Sequence, residues 1–120
     1  PHAETLALYR DLIRVRRAEP ALRPGSARTR VTTDRDAGWI GVAYERPGAA
    51  DLVAALNFSD SGNAAHIPAA PGTWRRRITT DDPCYGGDGG TAERIDVDAD
   101  GGLGLELPAR TAVLYRREGD

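Results

Sequence analysis

The sequence is poor in several residue types, and each shortage excludes a class of protein. It has one cysteine, Cys84, so neither an internal disulfide nor a cysteine-rich zinc site can form. No apolar run approaches the ~20 residues that a membrane helix needs. The net charge is -2, from 16 basic and 18 acidic residues, which leaves no broad positive field to hold a nucleic-acid backbone. We therefore expect no membrane partner and no nucleic-acid partner.

Lysine and methionine are missing altogether, and all 16 basic residues are arginine. The start of the chain has no signal-peptide pattern, and together with the single cysteine this favours a cytoplasmic protein. A chain without methionine that opens almost directly into a predicted helix hints at a piece of a longer protein. Its 120 residues, 40% hydrophobic and 28% charged, have the composition of one ordinary globular domain.

The first segment has the spacing of an amphipathic helix, which we predict over residues 4–18. Glu4 would lie near the positive end of the helix dipole, and Pro20 would stop the helix. At about 100° per residue the apolar side chains cover an arc of roughly 180°, wider than the ~100° stripe that one partner needs. Arg16 points into the middle of that arc. A helix clamped between two bodies, with Arg16 reaching a carboxylate or carbonyl groups at their seam, would explain both features.

After residue 25 the apolar period changes, and the rest of the chain is predicted as strands. The run 52–58 is apolar on both faces, so it should be a central strand covered on each side. The leucines of 103–107 all point one way, as in a strand with one face in water. We predict a mainly β fold, an antiparallel β-sandwich of about eight short strands preceded by one N-terminal amphipathic α-helix. The strands are predicted at 28–33, 39–46, 52–58, 63–67, 73–79, 94–98, 103–107 and 112–117.

Two stretches look like ligand loops. The run 96–101 reproduces the D-x-D-x-D-G opening of a calcium-binding loop, but its twelfth position is Leu107 instead of glutamate. We interpret it as an exposed turn whose acids are solvated. The stretch 79–90, TTDDPCYGGDGG, fits neither glycine-rich phosphate-binding pattern, since no lysine follows it and no strand-turn-helix surrounds it. No metal site and no cofactor are expected.

No catalytic residue is predicted. As a nucleophile, Cys84 would need a nearby base, and the only histidines are His2 at the terminus and His66 in a predicted strand. Most acids lie in turns beside Gly or Pro, where they are solvated and poorly fixed for paired-carboxylate chemistry. The arginine triplet 75–77 alternates along a predicted strand, and we interpret it as a solvated or interface face.

Five residues are candidates for carbohydrate binding or for an interface: Tyr85, Asp82, Trp39, Trp74 and Arg16. Exposed indole rings can stack on sugars, although two tryptophans in one small domain are more often in a core or an interface. Tyr85 is followed by glycines that leave its ring uncovered. It is therefore expected at a ligand or domain boundary, together with Asp82.

Four segments, taken in order, resemble the C-terminal part of the α-amylase superfamily, glycoside hydrolase family 13. They read LALYRDLIRVRRAEPALRPG (6–25), GWIGVAYERPGAADLVAALNFSD (38–60), TTDDPCYGGDGG (79–90) and LELPARTAVLYRR (105–117). The resemblance covers nearly the whole chain. It implies that residues 1–22 correspond to the last helix of a catalytic (β/α)8 barrel, and that residues 23–120 form an all-β C-terminal domain packed on that barrel.

The resemblance also implies a role. The catalytic carboxylates of the family lie upstream of the matched segments, so the chain alone is expected to be inert and to support the barrel of an α-glucan-acting enzyme. The loop around Tyr85 is most similar to glycogen branching enzymes and malto-oligosyltrehalose trehalohydrolases, whereas the helix and residues 44–46 look equally like α-glucosidases and trehalose synthases.

The expected partner is thus the barrel of the parent chain, with α-glucan as a second candidate partner. An excised piece is expected to be able to dimerise through its bare apolar face. The rival hypothesis is a free-standing α-glucan-binding module with Trp39 and Trp74 as its stacking platform.

Overall fold

The computed structural model describes residues 2–23 and 28–119. An α-helix comes first and strands follow, with short 3-10 helices at Pro20–Leu22 and Pro83–Tyr85. The bounds are α1 His2–Ala18, β1 Arg28–Asp34, β2 Trp39–Glu45, β3 Leu52–Asn57, β4 Asn63–Pro68, β5 Gly72–Thr79, β6 Arg94–Val97, β7 Gly102–Leu107 and β8 Ala112–Gly119.

The strands of the described residues form two antiparallel sheets. Six strands lie in the order β1-β2-β3-β8-β5-β6, and β4 pairs with β7 in a two-stranded ribbon. The prediction of an antiparallel sandwich preceded by one helix is confirmed, and the predicted elements agree with the observed ones to within one or two residues at each end. The sandwich is unequal, because one layer is much wider than the other.

The main hydrophobic core lies between the two sheets. Trp74 and Tyr115 are its largest fully buried side chains. Their polar atoms are satisfied, since the Trp74 indole N–H donates to the Ala70 carbonyl at 3.0 Å and the Tyr115 hydroxyl donates to the Ala92 carbonyl at 2.7 Å. Burial raises the pKa of Tyr115 to about 12, against the opposing effect of the Arg76 guanidinium. The ribbon contributes Ala65, Ile67, Leu103, Leu105 and Leu107 to this core.

Strand β3 is covered on both faces, as its apolar sequence predicts. Val53 and Ala55 belong to the core between the sheets. On the opposite face, Leu52 packs in a second buried cluster with Val15 of α1 and Leu114 of β8. Helix α1 therefore lies on the side of the six-stranded sheet that points away from the ribbon, and it supplies the cover that the second face of β3 needs.

Buried Asn57 fastens one end of the sandwich. Its amide N–H groups donate to the carbonyls of Ser61 at 3.0 Å and Leu107 at 3.1 Å. Its carbonyl oxygen accepts from the Ser59 backbone N–H at 2.9 Å and from the Asn63 side chain at 3.2 Å. Because Asn63 begins β4 and Leu107 ends β7, this one amide ties β3 to both strands of the ribbon.

The helices of the described residues include none that is long and apolar enough to cross a membrane. The division of the chain into residues 1–22 and 23–120 stays a prediction, and α1 shares its buried cluster with β3 and β8.

We expect Gly41→Ala to lower the free energy of unfolding by about 1–3 kcal/mol, because over-packing a core forces its neighbours to move. A Cβ at this position would lie 2.6 Å from Cδ1 and 2.7 Å from Cγ1 of the core residue Ile67. Gly104→Ala is the matched control, since position 104 also lies in a strand and nothing stands within 4 Å of its added Cβ. The control should be neutral or stabilising by up to about 1 kcal/mol. Urea unfolding measures both, and equal stability of the two variants would contradict this packing.

Candidate docking surface

Helix α1 carries an apolar face that the described part of the chain leaves uncovered. Leu6 is 68% exposed, Tyr9 60%, Ile13 53% and Leu12 39%, whereas Val15 on the sheet side is 8% exposed. At about 100° per residue, the four exposed side chains share one arc of the helix that Val15 does not. The prediction that this helix has more apolar circumference than its own chain covers is confirmed.

The uncovered surface continues across the outer face of the six-stranded sheet. Val31 and Phe58 are 63% and 65% exposed. Val31 pairs with Val42, and Ile40 pairs with Leu56, so these side chains share the face on which α1 lies. We call the following set the docking surface: Leu6, Tyr9, Leu12 and Ile13 of α1, Val31, Ile40, Val42 and Leu56 of β1 to β3, and Phe58 just beyond β3.

The two parts of the docking surface meet at an apolar hollow. Leu12 of α1 and Leu56 of β3 both line it, and its volume is about 190 Å³. Large exposed apolar patches on a soluble domain mark sites of protein interaction. The docking surface is therefore a candidate interface.

A buried carboxylate fixes the end of α1 on the sheet. Glu19 is 4% exposed, and its two oxygens accept from Arg77 at 2.7 Å and from Arg116 at 3.2 Å. A carboxylate just after a helix opposes the helix dipole, so the position needs such cationic partners. Glu19 is not among the residues predicted from the sequence. The sequence feature that could have predicted it is an acidic residue just after the basic last turn of the helix, because a negative charge is disfavoured at the C-terminal end of a helix.

The arginine triplet is split between the two faces of β5. Arg75 pairs with Glu118 at the surface, and Arg76 donates to the Thr91 carbonyl at 2.7 Å. An irregularity in the pairing of β5 with β8 lies between Arg76 and Ile78. As a result Arg77 and Ile78, although adjacent, both contact the side that carries α1, where Arg77 meets Glu19 and Ile78 packs against the second cluster. The interpretation of the triplet as a solvated or interface face fits Arg75 at the surface, whereas Arg77 pairs with a buried carboxylate of the same chain.

The stretch 79–90 is held in shape by its own acids. Asp82 accepts from the Cys84 backbone N–H at 2.9 Å at the start of a 3-10 helix, and this bond lowers the pKa of Asp82. Asp81 accepts from the backbone N–H groups of Asp88 and Gly90. Gly86 and Gly89 have φ of 88° and 77°, in the region that favours glycine.

Tyr85 turns from this stretch toward the helix. Its hydroxyl donates to Asp11 of α1 at 2.5 Å. Burial, and then the bonded Asp11 carboxylate, raise the pKa of Tyr85 well above its ordinary value. Tyr85 thus lies where the helix meets the β-domain, and Asp82 shapes the short helix that presents it. The predicted contacts of both side chains with a barrel or with glucan stay predictions.

The two tryptophans do not form a stacking platform. Trp39 is 7% exposed and Trp74 is 1% exposed, both within the main core. A sugar needs an open indole face, so the hypothesis of a platform on Trp39 and Trp74 is wrong for this structure, and their role is packing. Successive side chains of a strand point to opposite faces, and both Trp39 in β2 and Trp74 in β5 lie on the face that points into the core.

Arg16 is exposed in the middle of the bare face of α1. The ion pairs found within the described ranges do not include it, and the carboxylate at the seam, Glu19, is held by Arg77 and Arg116 instead. The predicted reach of Arg16 toward a second body stays a prediction.

The acidic run 96–101 forms a turn. Asp98 accepts from the Asp100 backbone N–H at 2.9 Å, and Gly101 has φ of 75°. In residues 2–23 and 28–119 no group of three or more His, Cys, Asp or Glu side chains is placed to hold a metal ion.

The structure therefore defines the class of this domain: an unequal all-β sandwich with one helix on its wide sheet and an uncovered apolar surface beside that helix. Residues 33–118 match the family described as the alpha amylase C-terminal all-beta domain, and the chain belongs to this family. The resemblance to the C-terminal region of the α-amylase superfamily is therefore confirmed.

Individual relatives agree with this assignment. The malto-oligosyltrehalose trehalohydrolase of Rhizobium sp. (strain M-11) is 37% identical over 116 residues, which are 96% of this chain but only 16% of that relative. In fold, the chain is similar to the alpha-amylase from H. orenii, with a TM-score of 0.60 and 17% identity over 92% of this chain and 20% of that one. It is also similar to a trehalulose synthase mutant in complex with Tris, with a TM-score of 0.61 and 20% identity over 92% of this chain and 17% of that one.

We expect Glu19→Gln to lower the free energy of unfolding by about 2 kcal/mol. Losing one partner of a buried ion pair is costly, but Arg77 and Arg116 are 36% and 44% exposed and water can solvate them in part. Glu93→Gln is the control, because Glu93 is 84% exposed and lies 3.7 Å from Arg76. It should change stability by less than about 0.5 kcal/mol. Thermal or urea unfolding gives the comparison, and equal effects would refute the anchoring role of Glu19.

Tyr85→Phe should cost about 1–2 kcal/mol, because it removes the hydroxyl that donates to a carboxylate while it keeps the ring. Tyr9→Phe removes the same atom from a tyrosine that is 60% exposed and should be neutral. Hydrogen exchange of α1, measured on the same samples, should speed up in the Tyr85 variant alone. Unchanged exchange there would show that the Asp11 contact does not hold the helix.

Proposed function

We propose that this chain is the non-catalytic C-terminal part of a glycoside hydrolase family 13 enzyme, and that its docking surface packs on the catalytic barrel of the same polypeptide. The observation that carries the proposal is that α1 has apolar side chains on two arcs, of which its own sheet covers only one. Val15 packs the helix onto its own sheet, while Leu6, Tyr9 and Ile13 remain more than half exposed on another arc. Burial of such side chains contributes roughly 1.5–3 kcal/mol each, so a second body that covers them would be firmly held.

The missing body is supported by the lengths of the relatives. The trehalohydrolase matches 96% of this chain with 16% of its own length, and the two solved structures match it with 20% and 17% of theirs. Family membership and these proportions favour a parent with a large additional part. We infer a parent of trehalohydrolase type, which acts on α-glucan, because that relative is 37% identical. Glycogen branching enzyme, α-glucosidase and trehalose synthase remain the alternatives from the sequence.

In this proposal the chain alone has no activity, because the reacting carboxylates belong to the barrel. The β-domain stabilises the barrel by covering its apolar surface, and Glu19 and Tyr85 hold the helix at the angle that this cover requires. The cytoplasmic location expected from the sequence stays a prediction. So does a direct contact with α-glucan, for which the buried Trp39 and Trp74 offer no platform.

Ile13→Lys tests the docking surface in the longer polypeptide that this proposal requires. It should lower the melting temperature and the activity of that polypeptide, since it places a charge in an apolar interface. In the 120-residue chain the same change should be neutral, because Ile13 is 53% exposed there.

Ala64→Lys is the matched control for this test. Ala64 is exposed on the ribbon, away from α1, and pairs across the strands with Glu106. The control should be neutral in both polypeptides. If Ile13→Lys leaves the longer polypeptide as stable and active as the control does, the docking proposal fails.

A further inference from the structure

The apolar hollow beside α1 is a cavity that the chain itself does not fill. Its volume is about 190 Å³, and six of its lining side chains are Leu12, Val15, Tyr44, Ala54, Leu56 and Ile78. It lies between the helix and the outer face of the sheet, and the partly exposed Leu12 and Leu56 stand at its margin. Protein interiors normally close such voids, because the lining atoms lose contacts across them.

Contacts at two places fix α1 beside the hollow. Glu19, bound by Arg77 and Arg116, pins the end of α1, and Tyr85 holds the helix at Asp11. Its floor carries small side chains, since Ala54 and Ala112 line it. The helix therefore does not collapse onto the sheet at this point.

The chemistry of the lining selects an apolar occupant. The lining is aliphatic and aromatic apart from the hydroxyl groups of Tyr44 and Thr80, and the Thr80 hydroxyl accepts from the Ala112 backbone N–H at 3.0 Å. A polar occupant would lose its bonds to water without gaining others in return. For size, an apolar cavity of about 150 Å³ takes a benzene molecule, so a side chain such as Leu, Ile, Met or Phe fits.

We propose that one apolar side chain of the barrel inserts into the apolar hollow and anchors the docking surface. The inference rests on the proposed function and adds to it a single dominant contact. The hollow lies where the helix part and the sheet part of the docking surface meet, so its occupant contacts both. Interfaces concentrate binding energy in such central, dry pockets, surrounded by contacts that exclude water. The trehalohydrolase relative extends far beyond the part that this chain matches. In the proposed parent, a corresponding additional part supplies the anchor.

Filling the hollow from within gives effects of opposite sign in the two polypeptides. In the 120-residue chain, Ala54→Leu should raise the melting temperature by about 4 °C, since it fills a void. In the longer polypeptide it should lower the melting temperature, because it displaces the anchor. Ala112→Val is a second, smaller filling variant for the case that leucine at position 54 over-packs. Ala64→Leu, on the exposed face of the ribbon, is the control and should leave both melting temperatures unchanged.

The anchor is supported if the filling variants raise the melting temperature of the 120-residue chain and lower that of the longer polypeptide. Stabilisation of both polypeptides, or destabilisation of the 120-residue chain by both filling variants, overturns it. If Ile13→Lys weakens the longer polypeptide while the filling variants do not, docking stands and the anchor falls; if neither weakens it, both proposals fall. A 120-residue chain that sediments as a dimer, and becomes monomeric on Ala54→Leu, would assign the hollow to a second copy and overturn the anchor.

Discussion

The burial of one carboxylate is the constraint on which the rest of this structure depends. Glu19 is almost wholly removed from water, and an unpaired charge in such a place would be strongly destabilising. Arg77 from β5 and Arg116 from β8 compensate it. Because Glu19 directly follows α1, the pair of arginines sets where the helix ends over the sheet. The helix held at that position covers one face of β3 through Val15 and contacts Tyr85 through Asp11.

The structure also explains how a short stretch full of acids and glycines keeps a fixed shape. The carboxylates of Asp81 and Asp82 accept hydrogen bonds from backbone N–H groups of the same stretch. Glycines in the left-handed region let the chain turn tightly enough to form these bonds. This loop positions Tyr85, whose hydroxyl donates to Asp11 of α1. The loop and the carboxylate of Glu19 thus hold the helix at two places, one in its middle and one past its end.

The fold was accessible to sequence reasoning because its signals are local. Alternating and doubly apolar runs placed each strand, and β3 was recognised as central because both of its faces are apolar. The candidate site was only partly accessible. The excess apolar circumference of α1 was visible, but the tryptophans offered as sugar platforms turned out to be core, since composition does not tell which face of a strand points inward. Glu19 escaped notice altogether.

The sequence by itself determined the periods of the elements, the places where the chain turns, and the fact that α1 has apolar side chains on two sides. Those features depend on neighbours a few residues apart, through backbone sterics and side-chain spacing. Tertiary structure alone decided which arc of α1 is covered, which arginines pair with the Glu19 carboxylate, and that a hollow remains beside the helix. Glu19 lies 58 positions from Arg77 and 97 from Arg116. Contacts at such separations are fixed by strand order and by the shift in pairing within β5, and no local pattern encodes either.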